Sequence, residues 1–243
     1  MFKQLILISM LAFCFAGCSD DSADIENMKA IGGARYGGVF RFMSSERIET
    51  LLPLQATTLY TQRITSQLFD PILRLDASGS KVIPSIAESF SVSPDGKSYV
   101  LNIRKGIYFH PDECLDGDGR ELTADDVKFT LDMACSGLKI NEVSFMLNDR
   151  VVGASAFNKA TKKEFKSGGV SGIKVLGRYK VQIDLVEAFA GFDKLLTYSG
   201  FGVFPKEAYE FYKADVKKHP VGTGPFMMEE FSPKGIKLKR NPN

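Results

Sequence analysis

The most regular alternation of apolar and polar positions flanks the sequence Pro94-Asp95-Gly96. The apolar positions are Phe90, Val92, Tyr99, Leu101 and Ile103. A period of two indicates β-strands with one buried face. Proline presets φ for a turn, and glycine accepts the left-handed conformation that follows it. The pattern therefore predicts a β-hairpin.

The start of a helix is equally clear at Thr123. Asp126 lies three residues later, where a capping box places its acid, and Leu122 and Val127 hold the positions of a hydrophobic staple. From Val127 on, apolar residues recur at helical spacing, at Leu131 and Ala134. These signals predict a helix that begins after Thr123 and buries one face.

The same patterns predict the remaining elements. Two further hairpins are expected, one around Gly177-Arg178 and one around the turn at residues 232–235. Strands are expected at 34–43 and 72–75, and helices at 61–68, 189–196 and 206–213. Phe157 and Phe165 are expected to anchor a lysine-rich segment whose pattern is otherwise weak.

The first eighteen residues predict the compartment. One lysine precedes an apolar run from Leu5 to Ala16, which has the length of a signal-peptide core and is short for a membrane-spanning helix. Small residues directly before Cys18 resemble a bacterial lipobox, although Phe15 stands where leucine is usual. We expect residues 1–17 to be a lipoprotein signal peptide and Cys18 to carry the lipid. An ordinary signal peptide is the alternative, and Cys14, behind bulky Phe13, is the less favoured acylation site.

Composition and charge narrow the class of protein. Hydrophobic residues make up 44% of the 243-residue chain, and 31 basic residues nearly balance 29 acidic ones. These values are typical of a globular protein, and no basic run suggests nucleic-acid binding.

Residues 18–33 are polar and acidic, which predicts a flexible tether. After removal of the signal peptide, Cys114 and Cys135 remain as an even pair in an oxidising compartment, and we expect a disulfide between them, with two free thiols as the alternative.

Catalytic and metal-binding motifs are not found. The histidines are His110 and His219, and the nucleophile elbow fails because Ile173 stands where its second glycine belongs. The acidic loop at 112–118 lacks the spacing of a calcium-binding loop, and no zinc motif occurs. The sequence therefore predicts binding rather than catalysis, with no cofactor and no metal.

Several motifs together resemble one family, the solute-binding proteins of ABC importers in the oligopeptide, dipeptide and nickel class. They are Y-G-G-V-F-R-F at 36–42, L-F-D-P-I-L at 68–73, I-P-S-I-A-E-S-F at 83–90, S-P-D-G-K-S-Y-V-L-N-I-R-K-G at 93–106, L-T-A-D-D-V-K-F-T at 122–130 and V-G-T-G-P-F at 221–226. The chain departs from the family at Leu52-Pro53, where Asp-Pro is usual, and in a longer loop at 111–120.

The resemblance implies an α/β fold of the type II periplasmic-binding-protein class, with mixed sheets and hairpins. Residues 34–68 and 170–243 would form first-lobe segments, and 69–169 an inserted subdomain. Family members continue beyond the last motif into a second lobe. We therefore expect this sequence to be an N-terminal part, a truncated form without that lobe.

The resemblance also implies a function and a site. The ligand would be a peptide or related solute, contacted at Thr57, Thr58 and Leu59, and delivered to an ABC importer permease. The protein would be a lipid-anchored receptor of the bacterial cell envelope, facing the periplasm or the cell exterior. The alternatives are a cell-envelope hydrolase, which must use His110 or His219, and an interaction lipoprotein of the same fold without a transport role.

Overall fold

The computed structural model describes residues 37–242, and the chain divides into two compact units, residues 1–45 and 46–243. In the described part of the first unit, residues 37–45, neither a strand nor a helix forms. Gly37 and Gly38 both have positive φ, 112° and 78°, which interrupts an extended strand. Val39 and Phe40 are 73% and 89% exposed. The predicted strand at 34–43 is therefore wrong for residues 37–43, and its first three residues lie outside the described part.

The second unit contains eight strands and five α-helices within residues 46–242. The strands are β1 (Leu73–Leu75), β2 (Val82–Pro84), β3 (Ala87–Val92), β4 (Ser98–Ile103), β5 (Ile173–Gly177), β6 (Lys180–Asp184), β7 (Phe226–Ser232) and β8 (Gly235–Arg240). The helices are α1 (Leu59–Leu68), α2 (Ala124–Cys135), α3 (Ala154–Ala160), α4 (Phe192–Leu195) and α5 (Lys206–Tyr212). Short 3-10 turns at Pro53–Gln55, Glu113–Leu115, Ser144–Met146, Ser199–Phe201 and Lys213–Lys218 connect them.

An antiparallel sheet of four strands, in the order β3-β4-β6-β5, forms the centre of this unit. On β4, the buried residues Tyr99, Leu101 and Ile103 alternate with half-buried ones. Leu101 pairs with Val181 on β6, so the buried positions of the two predicted hairpins fall on one face. These two hairpins are confirmed, as is the third, formed by β7 and β8, and Gly96 has the left-handed φ of 69° that the first turn requires.

Helix α2 packs against β5 and β6 and starts with the predicted capping box. The side chain of Thr123 faces the N–H of Asp126, and the Asp126 carboxylate accepts from the Thr123 N–H at 2.8 Å. Val127, Leu131 and Ala134 are at most 1% exposed, which confirms the predicted apolar stripe. The cap satisfies main-chain donors that a helix start leaves free.

The central sheet contains strands from both sides of the predicted division at residues 169 and 170. Strands β5 and β6, assigned to a first-lobe segment, complete the sheet of β3 and β4, which was assigned to the inserted subdomain. The β4–β6 pairing buries apolar residues from both sides of this boundary, Leu101 and Val181 among them, and the division into lobes stays a prediction.

A cluster of aromatic rings joins the lysine-rich segment to the helices. The Phe129 ring on α2 lies 5.4 Å from Phe165 and 5.6 Å from Phe204, centroid to centroid. Phe157 contacts Phe165 at 5.8 Å, edge to face. Such contacts stabilise aromatic clusters beyond the burial of area alone. The predicted anchoring role of Phe157 and Phe165 is confirmed, although helix α3, which carries Phe157, was not predicted.

Candidate ligand-binding site

The three residues predicted to contact ligand form an exposed segment at the start of α1. Thr58 is the N-cap residue of this helix, with extended φ and ψ of −94° and 152°. Its Oγ1 accepts a hydrogen bond from the Thr61 N–H at 3.3 Å. Thr57, Thr58 and Leu59 all face solvent, and Leu59 is 61% exposed. The structure thus brings the three residues together on the surface.

A buried turn supports this segment from below. Leu51, Leu54 and Ala56 are 0% exposed. Thr50 Oγ1 accepts from the Leu52 N–H at 3.1 Å and donates to Gln55 Oε1 at 3.0 Å. Because the oxygen of the Gln55 side chain binds Thr50, its amide nitrogen is directed toward a partner that is distant in the chain.

That partner is Glu142, which the sequence analysis missed. Its N–H donates to the Leu54 carbonyl at 3.0 Å, which fixes its main chain beside the turn. Its Oε1 accepts from Gln55 Nε2, and its Oε2 accepts from Thr57 Oγ1, both at 3.4 Å. No local pattern signals this contact, because Glu142 and Thr57 are 85 residues apart in the chain. We call the surface formed by Gln55, Thr57, Thr58, Leu59 and Glu142 the ledge.

Tyr198 connects the ledge to the remainder of the unit through hydrogen bonds. Its hydroxyl donates to the Ala56 carbonyl at 3.2 Å and accepts from Gln62 Nε2 at 3.4 Å. Burial raises the pKa of Tyr198, and the nearby Glu142 carboxylate also raises it, whereas the Gln62 hydrogen bond lowers it. Tyr198 therefore stays protonated and keeps donating to Ala56 at neutral pH.

The ledge offers binding groups rather than a catalytic set. It presents two threonine hydroxyls, a carboxylate and the exposed side chain of Leu59. Phe145 follows Glu142 by three residues and is 71% exposed. Thr57, Thr58 and Leu59 are exposed, and two clefts of about 350 and 380 Å³ in the described residues are lined by other side chains.

His110 has a structural role. It is 3% exposed, and its Nδ1 accepts from the Gly222 N–H at 3.4 Å while its Nε2 donates to the Gly224 carbonyl at 2.9 Å. Burial lowers the pKa of His110, in agreement with this neutral tautomer. His219 stacks on Tyr212 with ring centroids 4.0 Å apart. Because both ring nitrogens of His110 bind main-chain groups, it is not available as a general base for a serine.

The two cysteines predicted to pair are free thiols, and the predicted disulfide is corrected accordingly. Cys135 is fully buried at the last residue of α2, about 17 Å from the first at 1.5 Å per residue. Cys114 lies near the other end of that helix, where burial, with Asp112 and Glu207 adding to it, raises the pKa of its thiol. The helix length thus separates the two sulfur atoms.

The predicted signal peptide, the tether at 18–33 and the lipidation site Cys18 lie outside the described residues. None of the helices within 37–242 combines the length and apolar character needed to span a bilayer. In the same part of the chain, no group of three or more histidine, cysteine, aspartate or glutamate side chains is arranged to hold a metal ion.

Comparison with known proteins gives consistent matches. The family model described as "Bacterial extracellular solute-binding proteins, family 5 Middle" matches residues 81–243. A di/tripeptide-binding protein of Pseudomonas aeruginosa is 28% identical over 192 residues, which is 74% of this chain and 33% of that protein. A glutathione-binding protein of Salmonella choleraesuis is 26% identical over 183 residues, which is 75% of this chain and 30% of that protein. The chain spans about a third of the length of these curated relatives.

Solved structures show the same fold. The substrate-binding domain of an oligopeptide ABC transporter from Bacillus anthracis superposes with a TM-score of 0.68 at 24% identity, covering 83% of this chain and 37% of that one. A periplasmic binding protein of Helicobacter pylori in complex with the peptide STSA gives 0.64 at 21% identity, covering 80% and 37%. These neighbours have the type II periplasmic-binding-protein fold, which confirms the predicted α/β fold class.

Proposed function

Because this chain belongs to the bacterial extracellular solute-binding proteins of family 5, we propose that it is the substrate-binding component of an ABC importer for peptides or related small solutes. The observation that carries this proposal is the family match over residues 81–243. The family is one of solute-binding proteins, which agrees with the prediction of a binding protein rather than an enzyme.

The ledge is the part of this chain that we propose contacts the ligand. Its hydroxyls and carboxylate can hydrogen-bond polar main-chain groups of a peptide, and Leu59 and Phe145 can cover apolar ones. The open geometry of the ledge suits a site that a second lobe closes. Uptake would then proceed by lobe closure and transfer to the permease, with no covalent step.

Calorimetry with di- and tripeptides tests this function, using the protein produced from its complete reading frame. Leu59→Asp is expected to weaken peptide binding at least about tenfold, since it places a charge in the apolar part of the site. Leu176→Asp is the matched control, because that leucine is 51% exposed on β5 and does not belong to the ledge. Peptide binding that Leu59→Asp leaves unchanged would exclude the ledge, and a folded protein that binds no peptide would contradict the function and favour an interaction role.

The membrane anchor is a separate part of the proposal. We propose that Cys18 is acylated after removal of residues 1–17 and holds the receptor on the bacterial envelope. Radiolabelled palmitate is expected to enter the wild-type protein and to be absent from Cys18→Ser. Wild-type protein without label, cleaved at another position, would instead indicate an ordinary signal peptide.

A further inference from the structure

Glu142 is the one charged side chain of the ledge. Its carboxylate is exposed, and its contacts with Gln55 and Thr57 are with neutral donors at 3.4 Å. Among the described residues, no lysine, arginine or histidine forms an ion pair with it, although seven other ion pairs are present there. The ledge therefore presents an uncompensated negative charge.

The surroundings hold this carboxylate in place before any ligand arrives. The Glu142 N–H is bound to the Leu54 carbonyl, and Leu54 itself is 0% exposed. Thr50 engages the oxygen of Gln55, so the amide nitrogen of Gln55 points at Glu142. A charge that is fixed on a rigid support loses less conformational entropy when it binds a counter-ion.

The two segments that form the ledge also carry exposed apolar side chains. Leu59 is 61% exposed and Phe145 is 71% exposed. A ligand that covers both side chains would exclude water from the carboxylate, and an ion pair strengthens as the local dielectric constant falls. The chemistry that fits this combination is an ammonium group attached to an apolar stem.

We infer that Glu142 is a specificity-determining residue, which selects peptides that place an ammonium group against the ledge. This inference rests on the proposed function. The ammonium group has two possible sources, the α-amino terminus of the peptide and a lysine side chain, and the carboxylate would bind either in the same way.

Two matched peptide pairs separate these sources. The first pair is alanyl-lysyl-alanine and its norleucine analogue, which differ only in the side-chain ammonium. The second is trialanine and its N-acetyl form, which differ only in the α-amino group. Calorimetry with the protein from its complete reading frame is expected to show a preference for the ammonium-bearing member of at least one pair. Glu142→Gln should reduce that preference about tenfold, the size of one charge-assisted hydrogen bond.

Control variants distinguish recognition from a general loss of binding. Glu164→Gln removes another exposed glutamate, outside the ledge, and should preserve the preference. Gln55→Ala, which releases the carboxylate from its support, should reduce it to a smaller extent. The inference is overturned if Glu142→Gln weakens both members of each pair equally or leaves the preference intact. Absence of binding by all four peptides would overturn this inference, whereas the proposed function is decided separately by the wider set of di- and tripeptides.

Discussion

Arg120 joins three separate parts of the fold, and its removal is the most informative perturbation of stability. Its guanidinium binds Asp126 through Nη2–Oδ1 at 2.7 Å and Nη1–Oδ2 at 2.9 Å, and Glu207 through Nε–Oε1 at 2.8 Å and Nη2–Oε2 at 2.7 Å. It also lies over the Phe109 ring at 5.2 Å. One side chain thus connects the loop before α2, the start of α2 and helix α5.

The expected cost of Arg120→Ala follows from the burial of its partners. Asp126 is 3% exposed and would keep only its contacts with Thr123, at 2.8 and 3.2 Å. Removing one partner of a fully buried ion pair costs about 3–5 kcal/mol. Because the side chain of Arg120 is 34% exposed and that of Glu207 is 41% exposed, solvent screening lowers this value. We expect a loss of about 2–3 kcal/mol.

Urea denaturation followed by circular dichroism measures this loss, provided that the m-value is unchanged. Arg120→Lys keeps the charge but loses the two-pronged geometry, so we expect about half the effect. Glu207→Gln should cost less than about 1 kcal/mol, because that carboxylate is partly exposed. The reasoning would be refuted by an Arg120→Ala loss below about 1 kcal/mol, or by a Glu207→Gln loss of equal size.

Two further predictions concern the loop that His110 holds. Burial lowers the pKa of His110 below its ordinary value of 6.5, so the unfolded chain binds the proton more readily than the folded one. The free energy of unfolding should therefore fall as pH drops below about 6.5, by at most about 1.4 kcal/mol per pH unit. Urea titrations at pH 7, 6 and 5 should show that the free energy of unfolding depends less steeply on pH in His110→Gln than in the wild type. Burial also raises the pKa of Asp70, which contributes to this pH dependence with the opposite sign in both proteins. An identical slope in the two proteins would contradict the role given to His110. Gly222→Ala places a Cβ 2.1 Å from the Leu68 carbonyl oxygen and should lower the free energy of unfolding by about 2–3 kcal/mol. Gly168→Ala, with open space around its Cβ, should be nearly neutral. Equal melting temperatures for the two variants would argue against the close approach at Gly222.

Local signals explain what the sequence predicted well. The hairpin of β3 and β4 and the capping box at Thr123 depend on residues that are close in the chain, so alternation, turn residues and cap spacing are sufficient. The resemblance to solute-binding proteins is confirmed by the family match over residues 81–243, which contains the motifs at 83–90, 93–106, 122–130 and 221–226.

The remaining features depend on contacts between distant segments. Neither the pairing of Thr57 with Glu142 nor the binding of Arg120 to Glu207 leaves a periodic trace in the sequence. The pairing of β4 with β6 was not predicted for the same reason, since alternation identifies a strand but not its partner. The strand predicted at 34–43 failed for a local reason. Within residues 37–43, two adjacent glycines at positive φ outweigh a composition that favours a strand.

The strand order of the central sheet also determines when its strands can pair during synthesis of the chain. Strand β4 has one edge paired with its hairpin neighbour β3, but its other edge waits for β6, about 80 residues later in the chain. At ribosomal rates of about 5–20 residues per second, that edge is available for ~4–16 s before its partner has been synthesised. Such a long-range pairing slows folding, and an unpaired strand edge favours aggregation in the meantime. The β4–β6 pairing therefore leaves one edge of β4 open to aggregation until Asp184 has been synthesised.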